Sequence, residues 1–129
     1  MMRTILVVDD DPSVRYVIGK LFRSRGWTVL AAESAEAAVR LATDHHIDIV
    51  LCDVVMPGVD GFGCVARVKG HQPDAAIMLM SGHPYSFDSP QDSLPSWGPA
   101  PEFIAKPFSM LDLGARVDRL HSSTSAHAC

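Results

Sequence analysis

Residues 5–13, with the sequence ILVVDDDPS, decide the fold of this chain. Ile5 to Val8 form an aliphatic run without polar alternation, which is typical of a strand covered on both faces in a parallel sheet. Three acids follow at once, and Asp11 before Pro12 predicts the N-cap and first residue of a helix. The segment therefore predicts an α/β protein in which a buried strand passes directly into a helix.

Strand and helix signals continue to alternate along the chain. Candidate strands lie at 5–8, 27–31, 49–52, 77–80 and 103–105. Helical patterns lie at 12–25, 34–44, 62–69 and 110–120. Strand–helix alternation predicts a doubly wound parallel sheet with helices on both faces. A fourth helix is expected before the last strand, but five prolines between 84 and 101 predict that it is short or absent.

Composition excludes several classes of protein. The 129 residues are 47% hydrophobic, with 15 acids against 11 Lys and Arg, so the net charge is −4. Such a chain suits one folded domain, and it is a poor candidate for sequence-independent nucleic-acid binding. No apolar run approaches the roughly 18 residues of a membrane span. Three cysteines without C-x-x-C spacing favour a reduced, cytoplasmic setting.

Polar side chains follow the predicted strands at the point where each strand ends. Asp9 and Asp10 follow the first strand, Asp53 the third, Ser81 the fourth and Lys106 the fifth. Because the carboxyl ends of parallel strands meet at one edge, we expect these groups to converge. Carboxylates packed closely repel one another unless a cation intervenes, and hard oxygen ligands suit Mg²⁺ or Mn²⁺. One aspartate in such a site is a candidate nucleophile for a phosphoryl group.

Four segments together resemble the response-regulator receiver domain of two-component signalling: ILVVDDDPS (5–13), DIVLCDVVMPGVDG (48–61), IMLMSG (77–82) and EFIAKPF (102–108). The resemblance implies a flavodoxin-like fold, a doubly wound five-stranded parallel sheet with strand order 2-1-3-4-5. It also predicts a receiver domain over residues 1–121 and a flexible C-terminal tail over 122–129.

The resemblance implies a role for each acid of the site. Asp53 matches the phosphoacceptor. Asp10 matches the direct Mg²⁺ ligand, Asp9 a ligand acting partly through water, and the backbone carbonyl of Val55 a third protein ligand. Asp11 is left to helix capping.

Further roles follow for the other strand ends. Ser81 matches the hydroxyl residue that binds the phosphoryl group, and Lys106 the lysine that pairs with its oxygens. Phe103 matches an aromatic switch residue. Val55 and His83 match positions that tune dephosphorylation, and the apolar Val55 predicts a phosphoryl lifetime longer than seconds.

The implied function is a phosphorylation switch that catalyses only its own phosphorylation and dephosphorylation. A sensor histidine kinase or histidine phosphotransfer domain is the expected donor, docking on the first helix with Arg15 and Lys20. No direct nucleic-acid binding and no membrane insertion are expected. The chain is expected to be a stand-alone receiver or part of a longer protein such as a hybrid kinase.

Two alternatives remain open at this point. A haloacid-dehalogenase-like phosphatase would use Asp9 as its nucleophile in a D-x-D motif, and Asp53 would then have no role. A pseudo-receiver would bind its partner without phosphorylation. Simpler interpretations also exist for single residues, since Asp9 and Asp10 suit a helix N-terminus and Phe103 suits a core.

Overall fold

The computed structural model describes residues 3–56, 59–81, 102–106 and 108–128. In chain order, the elements are β1 (Thr4–Val8), α1 (Pro12–Ser24), β2 (Thr28–Ala32), α2 (Ala35–Asp44), β3 (Ile49–Asp53), β4 (Val55–Met56), β5 (Val59–Asp60), α3 (Gly61–His71), β6 (Ala76–Ser81), β7 (Glu102–Ala105) and α4 (Met110–Ala128). No helix in these ranges combines the length and apolar character needed to cross a membrane.

The main sheet has five parallel strands in the order β2-β1-β3-β6-β7. Counted along the chain, these strands have the order 2-1-3-4-5, so the predicted fold is confirmed. The helix predicted to be short or absent before β7 falls within 82–101, which lies outside the described residues.

The hydrophobic core forms two layers, one on each face of the sheet. Alternate residues of β1 divide between them, with Leu6 and Val8 in the layer under α2 and α3. Ile5 and Val7 belong to the layer under α1 and α4. The continuous aliphatic run of β1 is therefore explained by burial on both faces.

Side-chain caps begin three of the helices. Oδ1 of Asp11 accepts a hydrogen bond of 2.9 Å from the amide of Ser13, which confirms its predicted capping role. Oγ of Ser34 accepts from Ala37 at 3.2 Å, and Oγ of Ser109 accepts from Asp112 at 2.9 Å. These local bonds fix where α1, α2 and α4 begin.

Three details differ from the sequence prediction. A small antiparallel pair, β4 with β5, follows β3 and was not predicted. Helix α3 runs through Gly70 to His71 rather than ending at Lys69. Helix α4 continues through 122–128, the segment assigned to a tail, because no glycine or proline there interrupts helical hydrogen bonding. The flexibility of that segment and the domain boundary at 121 stay predictions.

Aromatic and charged contacts join α4 to residues near the amino ends of β1 and β2. The buried Trp27 ring packs edge-on against His121 of α4, with centroids 5.2 Å apart, and the Arg3 guanidinium lies 4.5 Å above it. Arg25 pairs with Asp118 at 2.7 Å. These contacts, which we call the α4 anchor, hold the second half of α4 against the start of β2.

Candidate functional site

The site lies at the carboxyl edge of the sheet, where three of the five strands end in charged side chains. Asp9 directly follows β1, Asp53 is the last residue of β3, and Lys106 directly follows β7. The parallel register aligns these ends, since Val8 pairs with Cys52 and Asp53 pairs with Met80. The topology thus brings together residues separated by up to 97 positions in sequence.

Three carboxylates share this edge. One carboxylate oxygen from each of Asp9, Asp10 and Asp53 lies within 4.8 Å of the others. Asp9 is 1% exposed and Asp53 is 8% exposed, whereas Asp10 is exposed to solvent. No hydrogen bond or ion pair reaches the Asp10 carboxylate from the residues that the structure describes. The cluster therefore has two buried carboxylates and one open one.

Lys106 holds the two buried acids together. Its Nζ lies 3.1 Å from Oδ2 of Asp9 and 3.2 Å from Oδ2 of Asp53. Burial by itself would lower the pKa of Lys106, but attraction to Asp9 and Asp53 and the hydrogen bonds they accept outweigh it, so the pKa is raised. The ammonium is therefore fully charged at neutral pH.

The pKa of the Asp9 carboxyl group is raised above its ordinary value. Loss of solvation on burial raises its pKa, and repulsion from Asp53 adds to this. The amide of Asp11, which donates to Oδ1 at 2.9 Å, and the Lys106 ammonium offset only part of the effect. Ionised Asp9 is consequently a group that a further positive charge would stabilise.

The donor set fits a hard divalent cation. Three carboxyl groups face one ammonium, so the formal charge of the cluster is negative. Mg²⁺ and Mn²⁺ prefer such oxygen ligands and retain several waters, and the exposed Asp10 leaves one side open to water. Asp9, Asp10 and Asp53 are therefore the described side chains that would hold the ion.

The structure describes the other predicted site residues only in part. Ser81 ends β6 in register with Ala105, and Val55 begins β4, but both side chains lie outside the described part of the structure. His83 also lies outside it. Phe103 is half-buried against the core layer under α2 and α3. Its predicted role as a switch stays a prediction.

One contact was not anticipated from the sequence. Nη1 of Arg15, on the first turns of α1, donates a hydrogen bond of 2.7 Å to the backbone carbonyl of Asp9. The sequence contains a signal for this contact, because Arg15 lies one helical turn after the cap Asp11 and helical side chains lean towards the helix N-terminus. Lys20 is exposed, and the docking role expected for Arg15 and Lys20 stays a prediction.

A groove adjoins the site between α1 and the segment that follows β7. Its volume is about 470 Å³, within the range of ligand-sized pockets. It is lined mainly by apolar side chains: Val14, Val17, Ile18, Phe108 and Met110, with Ser13 and Lys106. Lys106 thus belongs both to the carboxylate cluster and to the wall of this groove, which we call the α1 groove.

Comparison with known proteins agrees with this architecture. The family profile described as the response regulator receiver domain matches residues 5–118. The transcriptional activator protein PfeR of Pseudomonas aeruginosa is 32% identical over 117 residues, which cover 90% of this chain and 37% of PfeR.

Two solved structures are similar over almost their whole length. The receiver domain of the hybrid histidine kinase CckA is 30% identical, with a TM-score of 0.75, and 92% of this chain matches 98% of it. The response regulator TrrA of Thermotoga maritima, solved in complex with Mg²⁺-BeF, is 28% identical with a TM-score of 0.76. That match covers 92% of this chain and 99% of TrrA.

The curated relatives are longer proteins, and this chain spans between about a fifth and a half of their length.

Neither the haloacid-dehalogenase-like phosphatase nor the pseudo-receiver finds support in these matches. Asp11, which the D-x-D motif would require, is engaged as a helix cap. The match of the family profile over most of the chain, on the predicted fold, shows that this protein belongs to the response regulator receiver domain family of two-component signalling.

Proposed function

We propose that Asp53 accepts a phosphoryl group from a phosphohistidine, with Mg²⁺ or Mn²⁺ held by Asp9, Asp10, Asp53 and the backbone carbonyl of Val55. The observation that carries this proposal is the convergence of three carboxylate oxygens within 4.8 Å beside a lysine that contacts two of them. Receiver membership and the Mg²⁺-BeF complex of TrrA support the choice of chemistry.

The transfer forms a bond from a carboxylate oxygen of Asp53 to phosphorus and breaks the phosphorus–nitrogen bond of the donor histidine. The histidine leaves as neutral imidazole after its free nitrogen gains or keeps a proton. A bound divalent cation supplies charge neutralisation at the oxygens of the transferring group. Lys106 supplies the second positive charge, since its ammonium already contacts Oδ2 of Asp53 at 3.2 Å and would pair with a phosphoryl oxygen.

The donor is proposed to be a sensor histidine kinase or a histidine phosphotransfer domain that docks on the α1 groove. An apolar groove that ends at Lys106 suits the apolar face of a helix whose phosphohistidine must reach Asp53. Val17 and Tyr16 on α1 are 44% and 64% exposed, which leaves apolar surface available to such a partner. Lys20 adds a positive charge to the same helix.

The response to phosphorylation is proposed to run through Ser81 and Phe103. Ser81 would bind a phosphoryl oxygen, and Phe103 would change rotamer as Ser81 moves. The half-buried position of Phe103 supports this role, because a side chain at the edge of a core can exchange between packed and exposed states. The downstream target that would read this surface change is not assigned. A cytoplasmic location without nucleic-acid or membrane binding stays a prediction.

The phosphoryl lifetime is proposed to exceed seconds, because Val55 offers an attacking water no hydrogen bond. Loss of label is measured after removal of the phosphodonor, in the parent protein and in Val55→Asn. A faster loss in Val55→Asn is expected. A half-life of a second or less in the parent protein would contradict the proposal, and His83→Ala reports the contribution of the second tuning position.

The central test compares labelling of the parent protein with that of Asp53→Asn by a small-molecule phosphodonor in Mg²⁺. We expect one phosphoryl group on the parent protein, located by mass spectrometry at Asp53, and none on the variant. Asp44→Asn makes the same chemical change at an exposed aspartate of α2 and serves as the matched control. Labelling that persists in Asp53→Asn, or that maps to Asp9, would overturn the assignment.

Docking on the α1 groove is tested by Val17→Glu, which places a carboxylate in the groove wall. Transfer from a purified phosphohistidine donor is expected to fall relative to labelling by the small phosphodonor, which needs no docking surface. An unchanged ratio of the two rates would place the donor elsewhere.

A further inference from the structure

We propose that Arg15 is a positioning residue for the cation site and acts through the peptide bond that joins Asp9 to Asp10. Its Nη1 donates a hydrogen bond of 2.7 Å to the backbone carbonyl of Asp9. The inference rests on the proposed function, since the cation that Asp9 and Asp10 would hold is part of it.

The contacted carbonyl occupies a decisive place. It belongs to the planar peptide unit that joins Asp9 to Asp10, so fixing its orientation restricts ψ of Asp9 and φ of Asp10, the backbone angles on which the placement of both side chains depends. The amide of Asp9 is held by the carbonyl of Ala32 at 3.2 Å, which continues the strand pairing. Because β1 ends at Val8, the carbonyl of Asp9 lies beyond the strand. Arg15 donates the hydrogen bond that this carbonyl would otherwise accept from water.

Arg15 itself is held on a rigid element. Its backbone amide donates to the carbonyl of Asp11 at 3.2 Å, and Asp11 also caps α1 through its side chain. The partly buried guanidinium therefore reaches back over the first turn of the helix onto the turn that contains the acids. The planar fork of arginine suits such a fixed contact better than a lysine ammonium does.

The choice of a carbonyl as partner matters for the charge of the site. Among the described residues, Arg15 forms no ion pair with a carboxylate, whereas Lys106 contacts both Asp9 and Asp53. Arg15 thus orients the two ligands without occupying their oxygens. Residues that orient metal ligands through a hydrogen bond commonly change metal affinity by about 10- to 100-fold when they are removed.

The experiment measures Mg²⁺ binding to the protein alone by calorimetric titration, for the parent protein, Arg15→Gln and Arg15→Lys. We expect Arg15→Gln to raise the Kd for Mg²⁺ by about tenfold. Arg15→Lys keeps one donor and the charge, and should recover part of the affinity. Arg40→Gln makes the same change at an exposed arginine of α2 and should leave the Kd unchanged.

A second readout separates positioning from docking and from folding. With a small phosphodonor, the labelling rate of Arg15→Gln should be low at limiting Mg²⁺ and approach that of the parent protein at saturating Mg²⁺. Urea unfolding in EDTA reports whether the variant is folded. If Arg15→Gln fails to fold, Arg15→Lys alone decides: a raised Kd for Mg²⁺ supports the inference, and an unchanged Kd overturns it.

The outcomes are distinct. A Kd for Mg²⁺ that is unchanged in folded Arg15→Gln, with loss of transfer only from a phosphohistidine protein, would make Arg15 a docking residue and overturn the inference. A parent protein that neither binds Mg²⁺ nor is labelled at Asp53 would instead refute the proposed function.

Discussion

Replacement of Lys106 by methionine tests whether charge compensation stabilises the carboxyl edge of the sheet. Methionine keeps much of the aliphatic stem that lines the α1 groove and removes only the ammonium. Asp9 and Asp53, 1% and 8% exposed, are then left without their shared cation. We therefore expect a loss of stability that depends on whether these carboxylates are ionised.

The magnitude follows from the two contacts. A pair of unit charges about 3 Å apart attracts by about 5 kcal/mol at an effective dielectric constant near 20, and desolvation of the ammonium offsets most of the sum. Removing one partner of a buried pair typically destabilises a protein by about 3–5 kcal/mol. The Lys106 side chain is 28% exposed, so we expect the lower end, about 3 kcal/mol at neutral pH in EDTA.

The pH dependence has a definite sign. Loss of Lys106 raises the pKa of Asp9 further, because both the attraction and the hydrogen bond that lowered it disappear. The folded variant then takes up protons more readily than the folded parent protein. The difference in unfolding free energy should therefore shrink as the pH falls from neutral towards about 4, where unfolded aspartates also become protonated.

Urea unfolding at several pH values, with EDTA or with excess Mg²⁺, provides the assay. Mg²⁺ should stabilise Lys106→Met more than the parent protein, because the cation meets a more negative site. Lys20→Met, at an exposed lysine of α1, should change stability by no more than about 0.5 kcal/mol. A destabilisation of Lys106→Met that is the same at every pH and in Mg²⁺ would show lost packing rather than lost charge.

Three further substitutions address other parts of the molecule. Asp9→Asn should raise the unfolding free energy at neutral pH in EDTA, because burial raises the pKa of Asp9 and its ionised form is therefore disfavoured in the folded protein; the gain should vanish as acid protonates Asp9 itself, and a gain that persists in acid would contradict this. Gln72→Ala removes the amide that donates to the carbonyls of Ala42 and His45 at 2.6 Å each, so a loss of about 2 kcal/mol is expected in urea unfolding, against about zero if water replaces it. Ser34→Ala removes the cap of α2 and should lower the unfolding free energy by about 1 kcal/mol, which Ser34→Asp should largely restore.

Much of the fold was predictable because its signals are local. The buried strands are short continuous aliphatic runs, and the helix starts are marked by Asp11, Ser34 and Ser109, whose caps need no tertiary partner. The pair β4 and β5 was missed because each strand has two residues, too few for any periodicity. The extension of α4 was missed because Ser and Thr weaken helical propensity without ending a helix.

The residues that form the site could be predicted from the sequence, but their burial and charge interactions could not. The end of a parallel strand is a position that sequence can assign, so Asp9, Asp53 and Lys106 were expected to meet, and they do. Which acid is buried depends on the exact turn after β1, and sequence alone did not distinguish the buried Asp9 from the exposed Asp10 in this respect. The direction of the Arg15 side chain likewise depends on the completed backbone.

The α4 anchor fixes the middle of the C-terminal helix, because α4 runs on to Ala128 beyond the held residues. Asp118 and His121 are held against Arg25 and Trp27, while Met110 borders the α1 groove. Asp118 lies eight residues after Met110, which corresponds to about 12 Å along the helix. Between these points Leu113 and Val117 are fully buried, and Arg116 donates a hydrogen bond of 2.9 Å to the backbone carbonyl of Phe103. The groove wall at Met110 is therefore braced by the sheet, so a partner seated in the groove would meet a helix that resists displacement.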